Sequence, residues 1–223
     1  MDTLIFVWFF ILGTIIGSFL NVVIYRFNTG ESLMGRSRCL VCGTRLRWYE
    51  LVPMFSYLVQ KGRCRTCNAF ISPQYLCVEL LTGFLFLLIA QVFLFDPVLL
   101  LLNLGIVSLL VVILVYDIRH TIIHDSLVVY LLILAVAQVF WVLFAQGVNP
   151  PSLDVLLAIV LGGLIPSAFF GGLWLVSRGR WIGLGDAKLA FPLGIMLGLW
   201  GSVSLLMLAF WIGAVVSVGV LLL

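Results

Sequence analysis

Charge is scarce in this chain. Asp, Glu, Lys and Arg make up only 9% of 223 residues, where a soluble domain carries about 25%. With 64% apolar residues and a mean hydropathy of +1.27, the sequence excludes an ordinary soluble globular protein. It equally excludes disorder, which needs low hydrophobicity and high net charge. Histidine is nearly absent: His120 and His124 are two isolated imidazoles and no metal cluster. G-x-S-x-G, H-E-x-x-H and P-loop motifs are missing, as are internal repeats and low-complexity linkers. A net charge of +3 gives no sign of nucleic-acid binding.

Long apolar runs fill the composition instead. A helix needs about 20 mostly apolar residues to cross about 30 Å of hydrocarbon. Such runs occupy roughly 4–24, 76–95, 98–116, 126–145, 153–176, 187–200 and 202–223, the last two joined near Trp200-Gly201. The sequence therefore predicts an all-α polytopic membrane protein of about seven transmembrane helices. The first run is no cleaved signal, since Asp2 replaces a basic n-region and no A-x-A-like site follows. The apolar ending Val218–Leu223 predicts a chain cut short before an eighth helix.

The few charges are sorted by side. All twelve Lys and Arg residues fall in 26–75, 117–125 and 177–188, whereas the opposite side carries only Asp2, Asp96 and Asp154. Cation excess marks the cytoplasmic face, so the N-terminus is expected outside and those three segments inside.

The polar segment 26–75 holds Cys39-x-x-Cys42 and Cys64-x-x-Cys67, separated by 21 residues. This is the spacing of a four-thiolate zinc site. Disulfides are disfavoured on a cytoplasmic loop. Four protein ligands close such a site, so the metal is expected to be structural and to supply folding energy that so few large apolar residues cannot. The aromatics of 48–55 are expected to pack on this ribbon. Cys77, at the start of the second run, is expected to be a buried apolar thiol.

Carboxylates at span ends are costly and raise a functional hypothesis. Asp117 closes the third run, Asp125 opens the fourth, Asp186 opens the sixth within Gly183-Leu-Gly185-Asp186, and Glu79 lies early in the second. Each has a local alternative. Asp125 is placed to cap its helix, Asp186 to cap or to pair with Lys188, Asp117 to pair with Arg119 or His120, and Glu79 to favour a helix start. Gly183 and Gly185 permit unusual backbone angles and close approach of another chain beside Asp186. Two carboxylates sharing a proton are what aspartic proteolysis requires, one as base toward water and one as acid toward the scissile carbonyl. Asn21, Asn103 and Ser108 are expected to hydrogen-bond neighbouring helices. Gly162-Gly163 and Gly171-Gly172 are expected at close helix contacts.

Taken together, these segments resemble the prepilin peptidases, the leader peptidases of type IV pili and type II secretion. The matching stretches are Gly17–Arg26, Arg36–Gly43, Trp48–Pro53, Ser56–Leu58, Gly62–Cys67, Ile71-Ser72, Val78–Leu80, Asp117–Arg119 and Gly183–Leu189, in order along nearly the whole chain. The resemblance implies a GxGD-type aspartic peptidase of the bacterial inner membrane, with its active site and zinc loop facing the cytoplasm. Asp117 and Asp186 would be catalytic, Gly183 and Gly185 would support the loop, and Cys39, Cys42, Cys64 and Cys67 would hold Zn²⁺. It implies prepilin or pseudopilin substrates, and S-adenosylmethionine as cofactor where the new N-terminus is also methylated. The corresponding domains are a first transmembrane helix at 1–25, a zinc loop at 26–75 and a membrane peptidase domain at 76–223. Three departures stand out: His124 where the family commonly has Pro, Arg178-Gly-Arg-Trp181 where an acidic residue often precedes the glycines, and no final Phe-Gly-Pro span. The rival readings are a non-catalytic scaffold recruiting partners through the zinc loop, and a transporter. A transporter would place its carboxylates nearer mid-bilayer.

Overall fold

In a computed structural model, which describes residues 2–30, 32–148 and 150–221, every apolar run becomes helix. Residues 1, 31, 149, 222 and 223, which the expected domains and last run include, lie outside the described residues. The helices are α1 (Asp2–Arg26), α2 (Phe55–Val59), α3 (Gln74–Phe93), α4 (Pro97–His120), α5 (Asp125–Ala145), α6 (Leu153–Ser177) and α7 (Leu184–Leu221). Six of them, all but α2, are long and apolar enough to cross a membrane. The chain is thus a multi-pass membrane protein.

The last two apolar runs are both carried by α7. Its 38 residues would be about 57 Å long if regular, well beyond about 30 Å of hydrocarbon. The path breaks at Gly198 (φ 65°, ψ −174°), a conformation open only to glycine, three residues before the expected junction.

Two compact units divide the chain, Met1–Thr121 and Ile122–Leu223. In the first, α1 packs on α3, and α4 closes over both. No oily core drives helices together inside lipid, so close backbone approach must do it. A Cβ on Gly13 would lie 2.7 Å from the Thr82 carbonyl, and one on Gly17 would lie 2.8 Å from Glu79 Cα. These two glycines, four residues apart, form one small face that the apolar reading of the run passed over. Phe9, Phe86, Ala90, Leu100 and Leu104 cluster further along the same helices. Asp96 caps α4, accepting from the amides of Val98 (3.1 Å) and Leu99 (3.0 Å), with Pro97 at the first helical position.

In the second unit α6 and α7 pack closely. Added Cβ atoms at Gly162 and Gly163 would stand 2.6 Å from Gly198 C and from Ile195 Cγ2, and one at Gly194 would collide with the Gly162 carbonyl. Gly171 and Gly172 play no such part: only Ala187 comes near, 3.9 Å from Gly171. The expected cross-helix hydrogen bonds also need correction. Asn103 and Ser108 donate to Leu99 and Leu104 carbonyls one turn back in their own helix (both 2.8 Å), where a short polar side chain finds its nearest acceptor. Only Asn21 reaches across, from α1 to the Tyr75 carbonyl of α3 (3.2 Å).

Candidate active site and metal centre

The cysteine loop is built from two copies of one turn. Arg38 bridges Arg45 and Arg63 bridges Phe70, both antiparallel. Inside the first, the Cys39 amide donates to Thr44 O and the Gly43 amide to Cys39 O, both 2.9 Å. Inside the second, Cys64 donates to Ala69 O and Asn68 to Cys64 O, again both 2.9 Å. The residue after each second cysteine must turn left-handed, and the sequence supplies Gly43 (φ 70°) and Asn68 (φ 60°). These repeated turns gather the four cysteines from 25 residues apart: all four Sγ atoms lie within 4.8 Å of one another, and none is in a disulfide.

Such a cluster can hold a metal. Hydrogen bonding to the Thr44 side chain and backbone pulls the Cys42 thiol down to about 6. The backbone amides of Cys67 and Thr66 lower Cys64 too. Cys67 moves the other way, to about 11: the Ala69 amide draws it down, but burial and the three neighbouring sulfurs outweigh that pull. Four sulfurs this close cannot all ionise without a cation among them.

Around the cluster, Tyr49 is the packing aromatic, with Arg65 over its ring at 5.2 Å and Arg47 at 6.0 Å. Trp48 and Phe55, expected to pack, are 80% and 68% exposed. Cys77 is likewise exposed, not buried, because the first turn of α3 turns that side away from α1.

Asp117 lies in the last turn of α4, in the first unit, and is half-buried. Its two proposed local partners are turned elsewhere. Arg119 sits over the Tyr25 ring at 4.0 Å, and His120 stacks against Tyr116 at 4.4 Å. Beside this turn lies a recess of about 520 Å³ lined by Tyr116, Arg119 and His120 together with Tyr25 and Phe27.

Asp186 lies in the first turn of α7, in the second unit, also half-buried. A helix start favours negative charge there. Three contacts fix this turn. Lys188 donates to Asp125 at 2.6 Å, tying α7 to the start of α5. Ser167 of α6 donates to the Ala187 carbonyl at 2.9 Å. An added Cβ on Gly185 would lie 2.8 Å from Ile123 Cβ. Lys188 therefore pairs with Asp125, and Asp125 is no cap: His124 holds the cap position, with its Nδ1 3.0 Å from Ser126 Oγ. Neither Gly183 nor Gly185 has a positive φ, so what Gly185 provides is close approach, to a segment of this chain. Opposite charges opening two helices, Asp125 and Lys188, were the overlooked sequence signal; nothing in the sequence marks Ser167.

Gly185→Ala is accordingly expected to push α7 off Ile123 and to lower activity by at least about tenfold, as small misplacements in active sites do. Gly183→Ala, whose Cβ would stand 3.6 Å from Asp186 Oδ2 and meet only ordinary contacts, is expected to be milder. Turnover of both variants in one membrane preparation tests the order.

Glu79, expected at a helix start, is instead buried (6% exposed) and accepts the Met54 amide at 2.7 Å.

Comparison with known proteins bears on the whole chain. Residues 11–93 match the Bacterial Peptidase A24 N-terminal domain, and residues 104–218 match the Type IV leader peptidase family. The chain is 35% identical to the prepilin leader peptidase/N-methyltransferase of Myxococcus xanthus, over 97% of its own length and 63% of that relative's. It is 32% identical to the protein of the same description from Stutzerimonas stutzeri (93% of this chain, 76% of the relative) and 31% identical to that of Bacillus subtilis (93% and 78%). No solved structure matches it. The two matched regions between them contain the four-sulfur cluster, Asp117 and Asp186, and the chain belongs to the type IV leader peptidase family.

Proposed function

We propose that the chain is a prepilin leader peptidase that also methylates the N-terminus it exposes. The observation that carries this reading is the pair of family matches, with two half-buried carboxylates, Asp117 and Asp186, each in a terminal helix turn and both within the matched residues 104–218. One carboxylate takes a proton from water as its oxygen attacks the scissile carbonyl; the other gives a proton to the carbonyl oxygen. Collapse of the tetrahedral adduct breaks the C–N bond, and the leaving amine takes up a proton. The α5–α7 ion pair, Ser167 and Gly185 hold the turn that carries Asp186. The substrates would be prepilins or pseudopilins with a basic leader ahead of a hydrophobic segment, reached from the lipid bilayer. A scaffold would need neither aspartate, and membership of a peptidase family weighs against it.

The metal proposed is Zn²⁺, held by Cys39, Cys42, Cys64 and Cys67. A tetrahedron with Zn–S of about 2.3 Å has sulfur edges of about 3.8 Å, and Cys39 Sγ and Cys67 Sγ stand 3.8 Å apart. Its role would be to fold residues 26–75, with no open position for chemistry, leaving 76–223 as the peptidase domain.

Mass spectrometry of a prepilin co-expressed with this chain tests the proposal. Loss of the leader together with a gain of one methyl group on the new N-terminus is expected. An unprocessed prepilin would refute the peptidase reading.

The cation bias places the loops at 26–75, 117–125 and 177–188 in the cytoplasm of a bacterial inner membrane. Reporter fusions at Gly62 and Gly179 are expected to read inside, and those at Asp96 and Gly147 outside. A cytoplasmic signal at Gly147 would remove the shared face of the two aspartates.

A further inference from the structure

The short helix of the polar loop faces the wrong way for water. In α2, Phe55, Leu58 and Val59 stand at i, i+3 and i+4, so they share one face, and each is at least 60% exposed. Ser56 and Tyr57 turn inward. They line a cavity of about 450 Å³ together with Asn21, Tyr25, Tyr75 and Glu79, and the Tyr57 hydroxyl donates to the Ile71 carbonyl at 3.4 Å. A helix bordered by water buries its apolar side and exposes its polar one; α2 does the reverse. Trp48 ahead of it and Phe70 after it are exposed as well. Exposed apolar groups in this number mark a contact with a protein or a membrane.

Two observations choose the membrane. The first is depth. Met54, the residue before α2, donates its amide to Glu79 Oε2 at 2.7 Å. Glu79 lies five residues into α3, about 7.5 Å along a helix whose 20 residues span about 30 Å, the thickness of the hydrocarbon. Its carboxylate leans back toward the helix start, as side chains on a helix do, which sets the beginning of α2 at the edge of the hydrocarbon. Glu79 is also level with Gly17 of α1, whose added Cβ would lie 2.8 Å from Glu79 Cα, and α1 continues to Arg26. The second observation is charge. Residues 26–75 carry eight Lys and Arg against two Glu, and Lys61 and Arg63 follow α2 and are exposed. Anionic headgroups of a cytoplasmic leaflet attract such a segment.

We propose that α2 is an interfacial helix. Phe55, Leu58 and Val59 enter the acyl boundary of an anionic leaflet, while Ser56 and Tyr57 face the cysteine loop. The choice of leaflet rests on the cytoplasmic placement of residues 26–75 proposed above; the depth of α2 does not. Part of a loop that reads as wholly aqueous in sequence is thereby held in lipid, beside α1 and α3. The apolar face is continuous with the lipid-facing sides of those two helices, so the bilayer that covers them covers it too. An apolar face a few residues long inserts only shallowly, and neighbouring cations strengthen its hold on anionic lipid.

The test uses the wild-type full chain, zinc-loaded, in nanodiscs of phosphatidylethanolamine and phosphatidylglycerol. The phosphatidylglycerol carries a photoactivatable diazirine on its acyl chain near the headgroup, and adducts are mapped by mass spectrometry. Adducts are expected on Phe55, Leu58 and Val59, as on Leu88, which is exposed on the spanning helix α3. At least about tenfold fewer are expected on Ser56 and Tyr57, which the acyl boundary does not reach. In phosphatidylcholine nanodiscs with the same diazirine, α2 labelling relative to Leu88 should fall about fivefold, the scale of one cation's attraction to an anionic surface. Labelling of Leu88 with none on residues 55–59 would overturn the interfacial helix. Equal labelling by both lipids would overturn the anionic contact. With p-benzoylphenylalanine in place of Phe55, at equal zinc content and with a prepilin added, the cross-link should again be to lipid. A cross-link to a second copy of the chain or to the prepilin instead would give the face to that protein and overturn the proposal. A reporter fusion at Gly62 that reads outside would refute the cytoplasmic placement and the choice of leaflet, and would leave the lipid adducts as expected.

Discussion

Asp117→Asn and Asp186→Asn are each expected to reduce prepilin cleavage by about 10³-fold or more, the range that one positioned acid or base contributes. Asparagine keeps the size and most of the hydrogen bonding of aspartate but cannot take and return a proton. Each variant should still insert into the membrane and carry its metal, because the proposed metal ligands are the four cysteines of residues 39–67 and neither aspartate is among them. Methyl transfer to a pre-cleaved substrate should survive in both, since no carboxylate pair is needed to move a methyl group. Asp125→Asn serves as the contrast. It removes an ion pair whose members are exposed (43% for Lys188, 71% for Asp125), and such pairs contribute little, so cleavage should fall far less. Quantitative mass spectrometry of leader and mature pilin separates these outcomes. Near-normal cleavage by Asp117→Asn with loss in Asp125→Asn would reassign the first catalytic residue. Tolerance of both Asp117→Asn and Asp186→Asn would end the aspartic mechanism for this chain.

The second large effect is expected from the sulfurs. About one Zn²⁺ should bind per chain, and a Cys39→Ser/Cys64→Ser double variant should lose it. One cysteine is removed from each of the two turns, so the two thiols that remain, Cys42 and Cys67, cannot close a four-sulfur site. Structural zinc contributes on the order of 10 kcal/mol to small domains, and the described residues of 27–73 contain as helix only a five-residue α-helix and a single 3₁₀ turn besides the two metal turns. Without the ion this segment should become sensitive to limited proteolysis, and prepilin processing should fall indirectly. Elemental analysis and proteolysis of wild type treated with a strong chelator should reproduce both changes. Full zinc in the double variant would sink the ligand assignment.

The loop also shows how far sequence reasoning reaches. Two C-x-x-C pairs announce a metal cluster because ligand chemistry restricts the residue type and the turn restricts the spacing. Gly43 and Asn68 then show why both turns close the same way, a correspondence visible in sequence only once the turn is known.

The membrane-spanning helices were legible for a different reason. Lipid demands about 20 apolar residues per crossing, and no other environment tolerates so many such runs in one chain. The same demand conceals which faces meet. A helix apolar on every side carries no periodic signal for its packing face, so the contacts of Gly13 and Gly17, and of Gly162 with Gly194 and Gly198, are decided by small residues that hydropathy does not register. The break in α7 falls at Gly198 and not at Trp200-Gly201 for that reason: the chain turns where α6 comes against glycine backbone. Asn103 and Ser108 bond within their own helices and Asn21 between two, although all three read alike as polar residues in apolar runs.

By itself, then, the sequence determined the class of molecule, the long apolar segments and the clustering chemistry of four cysteines. These follow from composition and local spacing, which solvent and ligand chemistry constrain directly. Only the tertiary structure decided that Lys188 answers Asp125 across 63 residues, that Ser167 steadies the turn of Asp186, that Glu79 reaches the Met54 amide, and that Asn21, Glu79 and two tyrosines surround one cavity. Those are contacts between residues distant in sequence, and their partners are chosen by helix packing, which a chain apolar on every face does not spell out.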